Sequence, residues 1–190
     1  MLPSLIGIIA SSGGAAAAAG DYESIATVTV GSGGSATVTF SSIPATYQHL
    51  QIRSIQRSTT AGSGTEAVRL QFNSDTGTNY SIHTLRGDGG TAFATADAST
   101  NYVRYWGMCK AGDAANTFGA GVLDILDYAD TNKYKTVRGL GGIDTNSTVD
   151  YIILSSGAWR STSAISSIVL SSTSGNFAQY SSFALYGIKG

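Results

Sequence analysis

Apolar and polar residues alternate with a period of two along most of this chain, in short runs separated by clusters of Gly, Asn, Asp and Ser. At that period, successive side chains of a strand face opposite sides. The clearest run is Val68-Arg-Leu-Gln-Phe72, with Val68, Leu70 and Phe72 on one face and Arg69 and Gln71 on the other. Ile25-Ala-Thr-Val-Thr-Val30 is rich in β-branched residues, which suit a pleated surface. Gly31-Ser-Gly-Gly-Ser35 and then Ala36-Thr-Val-Thr-Phe40 follow it, predicting a hairpin with a Gly-containing loop. In His49–Arg57, Leu50 and Ile52 alternate with Gln51 and Arg53, and Ile55 breaks the phase, predicting a bulge near Ser54. Asn73–Asn79 is a turn by composition, and Tyr80 and Ile82 begin another run. Further strands are expected around Tyr102–Met108, Gly121–Leu126, Tyr134–Leu140, Val149–Leu154, Ile165–Leu170 and Phe183–Ile188. No stretch holds a 3.6-residue period beyond two turns, and no unit repeats at a propeller or β-helix period. The expected fold is all-β: a β-sandwich, with a strand count that favours a jelly roll.

The first twenty residues, MLPSLIGIIASSGGAAAAAG, follow a different rule: they carry no charge. Their apolar part, Leu5 to Ala10, is far too short to span a bilayer. A secretory signal needs a basic start and a longer apolar stretch, and neither is present. The expected organisation is an N-terminal docking arm over residues 1–22, followed by one β-sandwich domain over 23–190. Leu2, Leu5, Ile6, Ile8 and Ile9 are the arm's candidate docking residues, and a neighbouring subunit is their favoured seat. The competing reading folds the arm back on its own domain.

Composition supports this picture and removes several functions from it. Charged residues make up 12% of the chain, about half the usual share, while Ser and Thr together supply about a quarter of it. A net charge of −1 offers no basic excess for phosphates, so nucleic-acid binding is not expected. Low charge also weakens the usual defence against self-association, which suits a chain meant to assemble. The single cysteine, Cys109, allows no internal disulfide and reads as a small buried hydrophobe.

Candidate chemistry is sparse. His49 and His83 fall inside expected strands, and no His-x-His, His-Glu-x-x-His or cysteine pair offers a transition-metal site. No Gly-x-Ser-x-Gly elbow is present. Gly31–Ala36 fits a permissive dinucleotide pattern, but a strand follows it, and the pyrophosphate site needs a helix N-terminus there. Asp124 and Asp127 would face opposite sides of a strand. Asp75 and Asn79 share a turn, yet one carboxylate is too few for calcium. Asn146-Ser-Thr148 matches a glycosylation acceptor without a secretory signal to go with it. The expectation is therefore no catalytic residue, no metal and no cofactor. Among the aromatics, Tyr102, Tyr105, Trp106, Trp159 and Tyr180 could stack on sugar rings, although core and interface packing is the more ordinary role for such side chains.

The C-terminal third carries a recognisable pattern. Ser156-Gly-Ala-Trp159-Arg-Ser-Thr-Ser-Ala-Ile165-Ser-Ser-Ile168 leads into Gly175-Asn-Phe177-Ala, and Ser182-Phe-Ala-Leu185-Tyr-Gly-Ile188 closes the chain. With Ser42-Ile43, His49-Leu-Gln-Ile-Arg53 and Asn79-Tyr80-Ser earlier, it resembles a group of tailed-bacteriophage virion proteins over most of residues 40–188. The MLPSLIGIIASSGG start is similar too. The resemblance implies a jelly-roll fibre, decoration or tail-associated protein, and no catalytic residue carries over from it. The function expected is that of a non-enzymatic virion structural protein, assembled in the host cytoplasm. It would decorate the capsid or form a neck or tail fibre, with other virion proteins as partners, a homotrimer the favoured oligomer and no membrane contact. The alternative is a carbohydrate-binding receptor module of the tail.

Overall fold

In the computed structural model, residues 20–147 and 150–190 are described, Trp106 by its backbone alone. They form twelve strands and, among the described residues, no helix: β1 (Tyr22–Thr29), β2 (Thr37–Phe40), β3 (His49–Gln56), β4 (Thr65–Phe72), β5 (Tyr80–Gly87), β6 (Ala92–Thr100), β7 (Val103–Cys109), β8 (Gly119–Leu126), β9 (Lys135–Ile143), β10 (Tyr151–Trp159), β11 (Ile168–Ser172) and β12 (Ser182–Ile188). The first strand among the described residues begins at Tyr22. The expected docking residues Leu2, Leu5, Ile6, Ile8 and Ile9 lie outside the described residues.

The strands make two antiparallel sheets, β1-β12-β3-β8-β9-β10-β5-β6 and β2-β11-β4-β7. The expected β-sandwich is the architecture found. Its core lies between the sheets. Leu50 and Ile52 of β3, Leu123 and Ile125 of β8, and Phe183 and Leu185 of β12 meet Val68, Leu70 and Phe72 of β4 and Leu170 of β11, all essentially without exposure. The Val68–Phe72 alternation therefore reads as it was expected to. Burying each such side chain is worth about 1.5–3 kcal/mol relative to leaving it exposed.

Three local expectations are corrected. First, β1 and β2 are not a hairpin: β1 pairs with β12 in the large sheet and β2 with β11 in the small one. Residues 30–36 carry the chain across the sandwich edge, where each run finds its own sheet. Gly34 sits there at φ +76°, and a Cβ would fall 2.7 Å from the Phe177 carbonyl oxygen, so only glycine fits. Second, there is no bulge at Ser54: β3 keeps an unbroken register with both β12 and β8. Ser54 and Gln56 point inward and Ile55 points out, so a regular strand hides two polar groups and shows an apolar one. Irregularities fall instead at Ser24/Ala26, Glu66/Ala67 and Tyr80/Ser81. Third, β6 was not expected. Its sequence, Ala-Phe-Ala-Thr-Ala-Asp-Ala-Ser-Thr, has one large apolar residue and buries little, because it is an edge strand held by β5 on one side.

The C-terminal pattern is built from packing positions. Phe183 meets Phe177 edge-on at 4.8 Å between ring centroids. Tyr186 stacks on Tyr22 at 4.8 Å, and Ile165 and Ile168 are buried.

Candidate functional site

The outer face of the large sheet is where the structure departs from an ordinary soluble β-sandwich. Side chains alternate along a strand, and cross-strand partners share a face, so each residue row across the sheet is fixed by register. One outward row reads Ala184, Arg53, Val122, Leu140, Leu154, Leu85, Ala94 across β12, β3, β8, β9, β10, β5 and β6. The next row reads Ser182, Ile55, Ala120, Gly142, Ile152, Gly87, Ala92 across the same strands. Val122, Leu140, Leu154, Leu85, Ile55 and Ile152 are between 37% and 66% exposed. They form one stripe across five adjacent strands. Single exposed apolar side chains are ordinary, whereas contiguous patches of this kind mark contact surfaces.

The stripe is not flat. Along the second row Ile55 and Ile152 stand out, and Ala120 and Gly142 lie low between them. A cleft of about 1090 Å³ opens over this hollow, walled by Ile55, Val122, Leu140, Ile152 and the loop residue Phe118.

Polar groups frame the stripe on both sides. On one side runs the row Tyr186, Gln51, Asp124, Arg138, Ser156, His83. Within it the Gln51 side-chain amide donates to Asp124 Oδ1 at 2.7 Å. Arg53 borders the cleft beside Val122, and its guanidinium lies 5.3 Å and 5.7 Å from the Tyr22 and Tyr186 ring centroids. On the loop side, Asp88 accepts from the backbone N–H of Thr91 at 2.7 Å and of Gly90 at 3.0 Å. Those bonds, Thr91's first, hold its carboxyl below the usual range. Asp150 accepts from Thr145 N–H at 2.5 Å and Ser147 N–H at 3.1 Å. Burial pushes its pKa up, but the bonds from Thr145 and Ser147 outweigh that and hold it low. These carboxylates are engaged in shaping turns, and the face between the two frames offers apolar area.

A second, smaller cavity of about 210 Å³ lies between loops and contains Asp113 and Asp150. Asp113 accepts from Gly64 N–H at 2.9 Å and Lys110 N–H at 2.8 Å, so it too is committed to loop geometry. Among the described residues, no group of three or more His, Cys, Asp or Glu is placed to hold a metal ion.

The aromatic candidates do not converge. Tyr105 is 1% exposed, with its hydroxyl 3.0 Å from Ser54 Oγ and donating to Gln56 Oε1 at 3.3 Å. Trp159 is 2% exposed and packs against Phe72 and Tyr80. Neither ring shows a face to a sugar, which corrects their candidacy as glycan platforms: both fill the core, the ordinary role for large aromatics. Tyr102 is half-buried, with the Arg69 guanidinium 4.6 Å from its ring centroid. Trp106 is placed by its backbone in β7, and its side chain is outside the described residues. Tyr180 is exposed in the turn before β12. Asp75, considered with Asn79 for calcium, instead accepts from Trp159 and from the Asn79 amide. The six stripe residues were not among the candidates from sequence.

No protein-family model, curated protein or solved structure matches this chain.

Proposed function

We propose that this chain is a structural subunit of a bacteriophage particle, a capsid decoration or a neck or tail fibre component, whose β-sandwich works by being buried in a larger assembly. The observation that carries the reading is the apolar stripe Val122–Leu140–Leu154–Leu85 with Ile55 and Ile152. A domain that left this surface in water would invite association, and the sparse charge of the chain does little to prevent it. The C-terminal residue pattern supplies the virion context, and its positions serve as core and packing positions in this sandwich. In this reading the uncharged N-terminal stretch with Leu2, Leu5, Ile6, Ile8 and Ile9 fastens the subunit to another virion protein.

The test is to tag the chain at its C-terminus in an infected host and purify particles. The expected result is a fixed copy number per particle by quantitative mass spectrometry, with the tag at a defined place by cryo-electron microscopy. Particles that lack the chain sink the proposal. The glycan-binding alternative has lost Tyr105 and Trp159 to the core.

A further inference from the structure

We infer that the occupant of the stripe is a second copy of this chain presenting the same stripe, the two large sheets packing face to face about a two-fold axis. This deepens the assembly reading and rests on it.

Area is the first argument. Six large side chains, each more than a third exposed, present on the order of several hundred Å² of apolar surface. That matches the ~300–600 Å² of the largest apolar patch on a typical monomer, which is often a contact site, and the polar rows around it can supply the rim of a standard interface of ~800 Å² per partner. The stripe also has interface anatomy, an apolar centre framed by polar rows.

Self-complementarity is the second argument, and it follows from register. Adjacent strands lie about 4.8 Å apart. In the Ile55 row the knobs stand on β3 and β10, and the hollows lie over Ala120/Gly142 on β8 and β9 and over Gly87/Ala92 on β5 and β6. Knob and hollow thus alternate at a constant spacing of one and a half strands. A two-fold axis parallel to the strands and running beside β9 places Ile152 of each copy over the Ala120/Gly142 hollow of the other. It places Ile55 over Gly87/Ala92 at the same time. The same operation meshes the Val122, Leu140, Leu154, Leu85 row with itself, each side chain falling in a gap of the opposing row. Two aligned sheets pack this way about 10 Å apart. A foreign partner would need this spacing independently, whereas a second copy has it by construction. A two-fold contact uses one patch twice, while the trimer expected from sequence needs two different patches in contact.

Sedimentation velocity on the full-length chain over a concentration series provides the test. The expected species is a dimer or a multiple of it. Leu140→Asp places a charge at the centre of the stripe on an exposed position. It should weaken self-association by about tenfold or more, with far-UV circular dichroism and thermal unfolding of the monomer retained. A second measurement reads the geometry: an Ile152→Cys chain mixed with an Ala120→Cys chain should form an intermolecular disulfide faster than either chain alone. A monomer at every concentration overturns the inference. So does an oligomer, trimer included, that is indifferent to Leu140→Asp and gives no such cross-link. That second result leaves the assembly reading standing on another surface, whereas particles lacking the chain remove the assembly reading itself.

Discussion

The indole Nε1–H of Trp159 donates to Asp75 Oδ2 at 2.7 Å, joining the end of β10 to the turn between β4 and β5. Asn79 donates to the same oxygen at 3.0 Å and the Gly77 N–H to Oδ1 at 2.8 Å, so one carboxylate organises the whole turn. The Trp159 bond, first, and the Asn79 bond hold the Asp75 carboxyl below its usual range. Trp159→Phe keeps a ring against Phe72 and Tyr80 but removes the N–H. The expected loss is about 1–3 kcal/mol in urea unfolding, since a hydrogen bond to a charged group is removed. The Asp75 pKa, followed by carboxyl-carbon NMR titration, should rise toward the ordinary value. An unmoved pKa would mean that the turn does not depend on the indole.

Gly187, in the closing Leu185-Tyr-Gly-Ile188 strand, lies under the Tyr47 ring. A Cβ there would fall 2.3–2.5 Å from three ring carbons. Tyr47 in turn donates its hydroxyl to Glu23 at 3.0 Å, so the ring is held from both sides. Gly187→Ala should displace Tyr47 and cost about 1–3 kcal/mol, the range for overpacking a well-filled site. Tyr47→Ala together with Gly187→Ala should cost less than the sum of the two single changes, because the clash is then gone. Additive losses would disprove the contact.

Acid should unfold the protein through its hydrogen-bonded carboxylates. Glu66 is 3% exposed and accepts at Oε1 from Ser174 N–H at 2.5 Å, from Thr173 Oγ1 at 3.2 Å and from the Ser172 hydroxyl. Burial pushes its pKa up, but bonds from Ser172, Thr60, Ser58 and Ser174 outweigh burial and hold it below the ordinary value. A carboxylate with a depressed folded pKa adds stability that is complete above its unfolded value, near 4.3, and is lost as pH falls through the folded value. Asp75, Asp88 and Asp150 shift the same way. Unfolding free energy should therefore be level from about pH 5 to 8 and fall below about pH 4. Glu66→Gln should lose about 1–3 kcal/mol at neutral pH, with the gap to wild type closing at low pH. A constant gap would show that the charge is not what the hydroxyls hold.

The sandwich was legible in the chain and the stripe was not, for a physical reason. Val68–Phe72 alternates cleanly because β4 has one face in the core. Tyr151-Ile-Ile-Leu in β10 is apolar on successive positions, so its pattern alone does not say which residues face the core. Packing puts Ile153 inside and leaves Ile152 and Leu154 out. Ile55 misled in the opposite sense: its outward position mimicked a phase break, because the inward positions beside it are Ser54 and Gln56. The stripe residues come from five strands scattered over some hundred positions, and only register aligns them. The aromatic candidates failed for a related cause. Buried Trp and Tyr satisfy their polar atom inside the fold, as Trp159 does through Asp75 and Tyr105 through Ser54, and composition does not reveal that partner.

Cys109 tests the core from the inside. It closes β7, an edge strand of the small sheet, and is fully buried. Its thiol is pushed up to about 11, first by burial and then by the nearby Asp113 carboxylate. The thiolate is the reacting form, so at pH 8 only about one thiol in a thousand would be ionised even if reagent could reach it. Native protein should therefore resist a disulfide or maleimide reagent at pH 8, and unfolding in guanidinium should release the single thiol of the chain. Slow native labelling, where seen, reports local opening of the β7 edge, and its rate should rise in Glu66→Gln. Glu66 lies on β4, paired with β7 beside Cys109. Prompt labelling of the folded protein would show that the β7 edge is open and that the thiol lies outside the core.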